Sequence, residues 1–360
     1  MKKVLVWLLA LPLLFSGCAA HEEVDDLTFV RVLGIDRRGE KTVVTACTVT
    51  QEKENFFLSV EGTSLPECLE ALKGQSDLSL FFGHTELILW GEEAARSGTL
   101  GDLDAFVRSG EFRFDLLALT VKGEAEALLR GMGGDGEQIC DRLKTLLKNA
   151  PRTAAASAIP LSRMITVLEE PFCGVYLPYA VSEGARVFVA GYGLFADDRL
   201  AVLLDSAASR GLCLLSGGAE EYALTVPDGA GSTTLKLTDF SADAAINDGT
   251  FSLTLSGLAE ITGTDTAEDW TEERLNTLLA EAQARLKNEA EQAIEAMKAV
   301  GCDALNLGGH WERKAPRQAE NAKDRWPETF RETDVTVSVN LNMNPRRAVG
   351  RPLKKRESDT

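Results

Sequence analysis

The cysteine at position 18 is the residue whose neighbours most clearly specify a chemistry. It directly follows Ser16 and Gly17, at the end of an apolar run over 4–15 that begins after two lysines. A short basic region, an apolar stretch and small residues before a cleavage point form a secretory signal peptide. The enzymes that attach lipid to a cysteine and cut the chain before it need small side chains beside the thiol. We therefore predict that residues 1–17 are removed and that Cys18 is acylated.

Two or three acyl chains on Cys18 would anchor the chain stably, because each buried methylene contributes about 0.8 kcal/mol and one chain alone is marginal. The apolar run is shorter than the roughly 20 residues that a membrane-spanning helix needs. We expect the rest of the chain to be soluble and tethered at the membrane. The alternative is an ordinary cleaved signal with an incidental cysteine, and Phe15 stands where an aliphatic residue is usual.

Residues for catalysis are few and scattered. The three histidines lie far apart in the sequence, and none has a motif neighbour. Asp36 and His84 could converge as an acid/base pair, but we favour a turn-capping aspartate and a hydrogen-bonded histidine. The glycine-rich stretch 131–136 lacks the Lys-Ser/Thr of a phosphate loop, so we interpret it as a hinge. We predict no catalytic, cofactor-binding or metal-binding residues, and no enzyme.

The charge and the cysteines narrow the class of protein further. The formal net charge of −17 argues against a nucleic-acid partner and against general adsorption to anionic lipid. The cysteines after Cys18 form no CxxC pair, and no cluster has metal-ligand spacing. A chain of this length does not depend on disulfides, so we expect mostly free, buried thiols, although up to three bridges are possible. These six cysteines are Cys47, Cys68, Cys140, Cys173, Cys213 and Cys302.

Strand and helix patterns alternate along the first half of the chain. Apolar runs at 29–36 and 42–50, separated by a turn, predict a hairpin. Ser64 and Glu67 have the spacing of a capping box, with Pro66 in the first turn of the helix that would follow. Further strands are predicted at 84–90, 114–121, 187–195, 200–204, 222–226, 234–238 and 250–261, and further helices at 92–97, 100–109, 124–130 and 137–149.

The strongest single element is a helix predicted over 271–300. Thr271 is its cap, Gly301 follows its last turn, and apolar residues recur along it at helical spacing. We expect it to pack along a sheet, with docking of a partner as the alternative. A half-buried strand is predicted at 335–341, followed by a basic tail from 346. That tail is either solvated or in contact with anionic lipid or an acidic partner.

The order of these elements predicts an α+β fold with mixed sheets, packed helices and a long amphipathic helix near the C-terminus. The length is enough for two or three domains. In chain order the parts are a signal peptide at 1–17, a lipidated tether at 18–26, an N-terminal α+β domain at 27–130, a middle segment at 131–215, a C-terminal α+β domain at 216–345 and a basic tail at 346–360.

Six segments, taken in order, carry a resemblance to a known family. The segments are 26–36 (DLTFVRVLGID), 83–91 (GHTELILWG), 106–113 (FVRSGEFR), 302–308 (CDALNLG), 326–330 (WPETF) and 335–341 (VTVSVNL). Together they resemble the C subunit of spore nutrient-germinant receptors, the Ger(x)C lipoprotein family. The resemblance covers nearly the whole chain after Cys18 and implies three α+β domains.

The resemblance implies a non-catalytic subunit on the outer face of the spore's inner membrane. Its partners would be an A subunit and a transporter-like B subunit that spans the membrane several times. Whether this subunit binds a nutrient itself is not implied. An extracytoplasmic solute-binding lipoprotein that delivers a small ligand to a transporter is the alternative, and it requires two similar lobes around a cleft. An exported hydrolase using His84 is a third hypothesis.

Overall fold

A large mixed sheet occupies the first part of the chain. The structure is a computed structural model, and it describes residues 27–49, 57–184, 186–229, 231–247, 250–266 and 269–344. Cys18 and the basic tail lie outside these ranges. The strands of this sheet are β1 Leu27–Arg38, β2 Lys41–Val49, β3 Phe57–Gly62, β4 Ser79–Phe81, β5 Leu87–Gly91, β6 Leu117–Val121, β7 Ile159–Pro160, β8 Tyr176–Glu183, β9 Arg186–Ala196 and β10 Arg199–Leu203.

Parallel strands form the centre of this sheet and antiparallel strands form its edges. Its main order is β10-β9-β8-β6-β5-β1-β2-β3, with β4 beside β1 and β7 beside β6. Strands β1, β5, β6 and β8 are parallel neighbours, so their first residues lie at one end of the sheet and their last residues at the other. The predicted hairpin is present as the antiparallel pair of β1 and β2.

Helices cover both faces of the large sheet. Helices α4 and α5 enclose one apolar cluster against β1, β2, β5 and β6, and the other face belongs to a larger core that extends into the second sheet. Central parallel strands that are buried on both faces follow this layout. The helices of this part are α1 Leu65–Lys73, α2 Glu92–Ser97, α3 Leu100–Ser109, α4 Ala125–Met132, α5 Gly136–Asn149, α6 Leu161–Glu169 and α7 Ser206–Leu215, with a 3-10 turn at Ala150–Thr153.

A four-stranded sheet forms the second part, in the order β11-β12-β13-β14. Buried residues alternate with exposed ones along β11 and with half-buried ones along most of β13, so one face is packed and the other is more open to solvent. The predicted long helix runs along the packed face, with Thr271 as its cap and a left-handed Gly301 at its end. The elements are β11 Glu221–Asp228, β12 Gly231–Asn247, β13 Thr250–Thr264, α8 Glu272–Val300, α9 Leu307–Lys314, α10 Pro316–Ala319, a 3-10 turn at Glu320–Arg325, α11 Trp326–Glu332 and β14 Val335–Met343.

The predicted α+β fold, with mixed sheets and a long C-terminal helix, is confirmed. The capping box is present in part: the Ser64 hydroxyl accepts from the Glu67 N–H at 3.5 Å, while the Glu67 carboxylate bonds to Thr63. Pairing of β6 with β8 places segments from both sides of the expected 130/131 boundary in one sheet. The large sheet therefore does not separate the chain at the expected 130/131 boundary. The division into three domains stays a prediction.

The glycine-rich stretch 131–136 forms a short connection between two helices. Helix α4 continues to Met132 and α5 already begins at Gly136, because the Asp135 side chain accepts a hydrogen bond from the Gln138 N–H at 2.8 Å. A Cβ on Gly136 would lie 2.7 Å from the carbonyl oxygen of Cys47. The glycine therefore allows α5 to pack directly on β2, and the hinge interpretation of 131–136 stays a prediction.

Candidate functional site

An open cleft lined by charged side chains lies at the end of the large sheet where its parallel strands begin. Its volume is about 360 Å³, and its lining includes Arg31 from β1, His84 and Glu86 from the turn before β5, Arg113, and Lys144 from α5. Arg31 is a charged residue of β1 between two buried valines, Val30 and Val32. These residues come from four separate segments, which is why local sequence patterns did not identify the cleft.

Ion pairs hold the charged residues of the cleft in place. Glu86 accepts hydrogen bonds from both Arg31 and Lys144, and the Arg31 Nε lies 2.7 Å from a carboxylate oxygen of Glu137. Burial alone would raise the pKa of Glu86, but the hydrogen bond from Lys144 and the charge of Arg31 outweigh it, and the pKa is lowered. The bond to Glu86 raises the pKa of Lys144. The side chains of Glu86 and Lys144 therefore stay ionised at neutral pH, and the cations and carboxylates at the cleft balance one another's charge.

Asp36 and His84 do not form the acid/base pair that was considered from the sequence. His84 packs against Phe29 near the start of β1, with 5.1 Å between ring centroids, whereas Asp36 lies near the end of the same strand. Seven residues of extended strand separate Phe29 from Asp36, which corresponds to roughly 23 Å. His84 also lies in the turn that precedes β5 and not in the strand itself, so the predicted strand start at 84 is wrong.

Asp36 instead caps a neighbouring helix. Its two carboxylate oxygens accept hydrogen bonds from the N–H groups of Ala125 and Glu126, at 2.8 and 2.9 Å, in the first turn of α4. Burial raises the pKa of Asp36, and the two backbone bonds partly offset that rise. The favoured interpretation of a capping aspartate is therefore correct, although it caps a helix distant in sequence and not its own turn.

Two glycines make room for this cap. A Cβ on Gly91 would lie 1.9 Å from an Asp36 carboxylate oxygen, and a Cβ on Gly34 would lie 2.9 Å from Leu129 of α4. Any larger residue at position 91 would displace the carboxylate. The sequence Gly-Ile-Asp at the end of β1 thus combines close helix packing, a buried isoleucine and a helix cap.

A second buried carboxylate has a similar position in the second part of the chain. Asp303 follows α8 and accepts hydrogen bonds from the Gly308 N–H at 2.8 Å and from the indole N–H of Trp326 at 3.1 Å. Burial raises the pKa of Asp303 to about 6, although these bonds favour its ionised form. The indole lies 2.5 Å from where a Cβ on Gly308 would be, and Phe330 packs against it. This carboxylate therefore joins the end of α8 to α9 and α11.

The same pairing of an indole and a carboxylate occurs in the large sheet. The indole N–H of Trp90 donates to Asp102 at 3.0 Å, and both side chains are buried. Each half of the protein thus buries a tryptophan that anchors an aspartate from another element. These are structural contacts, since buried polar groups need partners, and neither pair opens into the charged cleft.

The cysteines of the described ranges are free. Five of them are buried, and Cys173 is half-buried. Burial raises the pKa of Cys173 to about 12 and that of Cys68 to about 11, so these thiols stay protonated and weakly reactive. Cys18, the predicted acylation site, lies outside the described residues, and so does the tail at 346–360. Among the described residues, no helix combines the length and apolar character that crossing a membrane requires.

The fold and its sites define a class: a two-sheet α+β protein whose sequence motifs form structural anchors around buried carboxylates. Comparison with known families then identifies the family to which the chain belongs. Residues 20–181 match the family described as spore germination protein N-terminal domain, and residues 190–345 match spore germination B3/GerAC like, C-terminal. Because the two matches together cover most of the chain, the protein belongs to the Ger(x)C family of spore germination proteins.

Similarity to individual proteins agrees with this assignment. The chain is 21% identical over 355 residues to the putative spore germination protein YfkR of Bacillus subtilis (strain 168), covering 90% of this chain and 91% of that protein. The crystal structure of the GerBC protein aligns with a TM-score of 0.60 and 16% sequence identity, covering 86% of this chain and 96% of that one. At that identity the structural match shows a shared fold.

Proposed function

We propose that this protein is the membrane-anchored C subunit of a spore nutrient-germinant receptor, attached by lipid on Cys18 to the extracytoplasmic face of the membrane. The observation that carries the proposal is the match of both halves of the chain to germination-protein families. The basic, apolar and small-residue pattern that ends at Cys18 supports the anchor. In a spore the membrane would be the inner one.

The subunit acts by assembly and not by catalysis in this proposal. Its partners are the A subunit and the multi-span B subunit of the receptor. Two observations support a non-catalytic role: Asp36 is occupied as a helix cap, and His84 lies near the opposite end of β1. The Arg31, Lys144 and Arg113 side chains of the cleft are each paired with a carboxylate.

The solute-binding hypothesis gains no support from the fold. It requires two similar lobes around a cleft, whereas the two sheets of the described chain have ten and four strands and different strand orders. The one cleft described above lies at the end of the large sheet and not between lobes.

Metabolic labelling with palmitate tests the anchor. The wild-type chain should incorporate label and float with membranes, and Cys18→Ala should do neither. Cys173→Ala is the matched control, because it removes a half-buried thiol and should label like the wild type. Equal labelling of wild type and Cys18→Ala would contradict the anchor.

Affinity purification tests the assembly. A tagged chain, solubilised in mild detergent from spore membranes, should recover the A and B subunits encoded with it. Cys18→Ala should recover them less efficiently if anchoring assists assembly. Recovery of the anchored chain without either partner would contradict the proposed role.

A further inference from the structure

The first described strand, β1, begins at one end of the large sheet, and an exposed aromatic group lies at that same end. Strand β4 pairs in parallel with the first residues of β1, so that Phe81 lies opposite Phe29. The Phe81 ring is 39% exposed. It contacts the rings of Phe29 and His84, with centroids 5.9 and 5.5 Å away. Phe81 is therefore held in place by its neighbours while part of its apolar surface remains open.

A second exposed aromatic residue lies beside the charged cleft. Phe114 is 42% exposed, and its neighbours Arg113 and Asp115 line the cleft together with His84. We call Phe29, Phe81, His84 and Phe114 the tether-end rim. Exposed large apolar side chains that cluster at one place on a soluble domain often mark an interaction surface.

The length of chain before this rim restricts what can cover it. Eight residues, 19–26, separate Cys18 from Leu27. At the maximum extension of a polypeptide they span about 30 Å. A lipid on Cys18 would therefore keep the rim within that distance of the bilayer surface. Any surface at this end of the sheet then faces lipid more readily than the opposite end does.

Charge at the rim favours an apolar contact over an electrostatic one. The cations beside it are each paired: Arg31 and Lys144 with Glu86, and Arg113 with Asp115. The chain as a whole carries a formal charge of −17, which anionic lipid would repel. Contact with a bilayer would therefore depend on the aromatic rings and not on headgroup charge.

We propose that the tether-end rim lies against the bilayer, with Phe81 and Phe114 partitioned into the boundary between headgroups and acyl chains. This inference rests on the proposed lipid anchor at Cys18. Aromatic side chains at this depth bury apolar surface without spanning the membrane. The contact would fix the orientation of the large sheet on the membrane.

A weak contact is sufficient because the chain is tethered. Attachment through Cys18 would hold the rim near the bilayer at an effective concentration that can approach millimolar. Two partly exposed rings can therefore orient the anchored protein even though they would not bind the unanchored chain to vesicles. The same argument predicts that removing the rings changes orientation and not attachment.

Photocrosslinking from lipid measures that orientation. The lipidated full chain is reconstituted into phosphatidylcholine vesicles that contain a phospholipid with a diazirine near its ester bonds. Vesicle flotation reports attachment, and peptide mapping after illumination reports which segments contact lipid. We expect label on the peptides that contain 79–86 and 113–115. The variant Phe81→Ser/Phe114→Ser should lower that labelling about tenfold, equivalent to about 1.4 kcal/mol, with flotation unchanged.

Controls separate this proposal from its alternatives. Leu100→Ser removes a side chain that is 60% exposed, on α3 beside Asp198, and it should leave labelling of the rim unchanged. Circular dichroism verifies that each variant folds. If the double variant does not fold, the labelling pattern of the wild-type chain tests the proposal. Labelling of the rim should then be equal at 50 and 500 mM salt.

The outcomes distinguish the two proposals. Flotation with label concentrated on the rim supports the inference. Flotation with label spread evenly, placed on other surfaces, or lost at high salt overturns it and leaves the anchor intact. Failure of the wild-type chain to float overturns the anchor, and the inference with it.

Discussion

The helix cap at Asp36 offers a quantitative test of how the large sheet is held together. In Asp36→Ala the two buried N–H groups of Ala125 and Glu126 lose their partner. Hydrogen bonds to charged groups contribute about 1.5–3 kcal/mol each. The removed carboxylate also no longer incurs the desolvation that raises its pKa, so the two effects partly cancel. We expect a net loss of about 3 kcal/mol in the free energy of unfolding.

Thermal unfolding and amide hydrogen exchange measure this loss. For a domain of 150–250 residues, 1 kcal/mol lowers Tm by about 2–4 °C, so Asp36→Ala should lower it by about 6–12 °C. Exchange should accelerate first at the amides of Ala125 and Glu126, because the first turn of α4 depends on the cap. The Tm of Asp36→Asn should lie between those of the wild type and Asp36→Ala. Its side-chain amide keeps one acceptor oxygen but places an NH₂ group against the other backbone N–H donor.

A carboxylate on the surface provides the matched control. Asp104 pairs with Arg108 across one turn of α3 and is exposed. Exposed pairs of this kind contribute little, so Asp104→Ala should leave Tm within about 2 °C of the wild type. The reasoning would be refuted if both alanine variants lowered Tm equally, or if Asp36→Ala melted like the wild type.

Three further substitutions test other parts of the structure. Because the pKa of Asp303 is raised to about 6 in the folded protein, the native state binds this proton more tightly than the unfolded chain does, and stability falls as pH rises from about 4 through 6. Asp303→Asn should remove this loss of stability, so the Tm of the variant minus that of the wild type should increase between pH 5 and pH 7.5. Equal changes of Tm with pH in the two proteins would contradict this. Glu289→Ala should lower the free energy of unfolding, measured with urea, by about 2–4 kcal/mol, because it leaves a mostly buried arginine unpaired. As its control, Glu291→Ala removes an exposed carboxylate and should leave this free energy nearly unchanged. Gly136→Ala should destabilise by more than 1 kcal/mol, because its Cβ would meet the backbone of β2; Gly101→Ala, with open space around it, should stabilise by up to about 1 kcal/mol.

Elements with strong local signals could be predicted from the sequence. Helix α8 has a cap, a terminal glycine and a periodic apolar face, and its observed bounds, Glu272–Val300, lie within one residue of the prediction. The boundaries of α2 and α3 were also predicted. In these segments the backbone is determined mainly by neighbouring residues, so local patterns are informative.

Helix α7 was missed because its surroundings hide the helical period. Seven of its ten residues are buried, including Gly211 and Cys213, so the segment has no long polar face to reveal the spacing. A Cβ on Gly211 would lie 2.0 Å from the carbonyl oxygen of Glu289 on α8. Burial against another helix, and not local sequence, therefore determines this element. The charged cleft was missed for a related reason, because strand order brings its residues together.

The positions of the family's motifs separate architecture from function. Asp36 and Asp303 are the acidic residues of the Gly-Ile-Asp and Cys-Asp motifs, and both are buried carboxylates that hold the start of a helix. Gly91 and Gly308 serve the same two anchors by leaving space for them. Both carboxylates are buried, so a partner protein cannot reach them from the surface. A surface that binds the proposed receptor subunits or lipid would therefore lie among exposed residues outside these anchors, and the tether-end rim is where such residues adjoin the predicted attachment to the membrane.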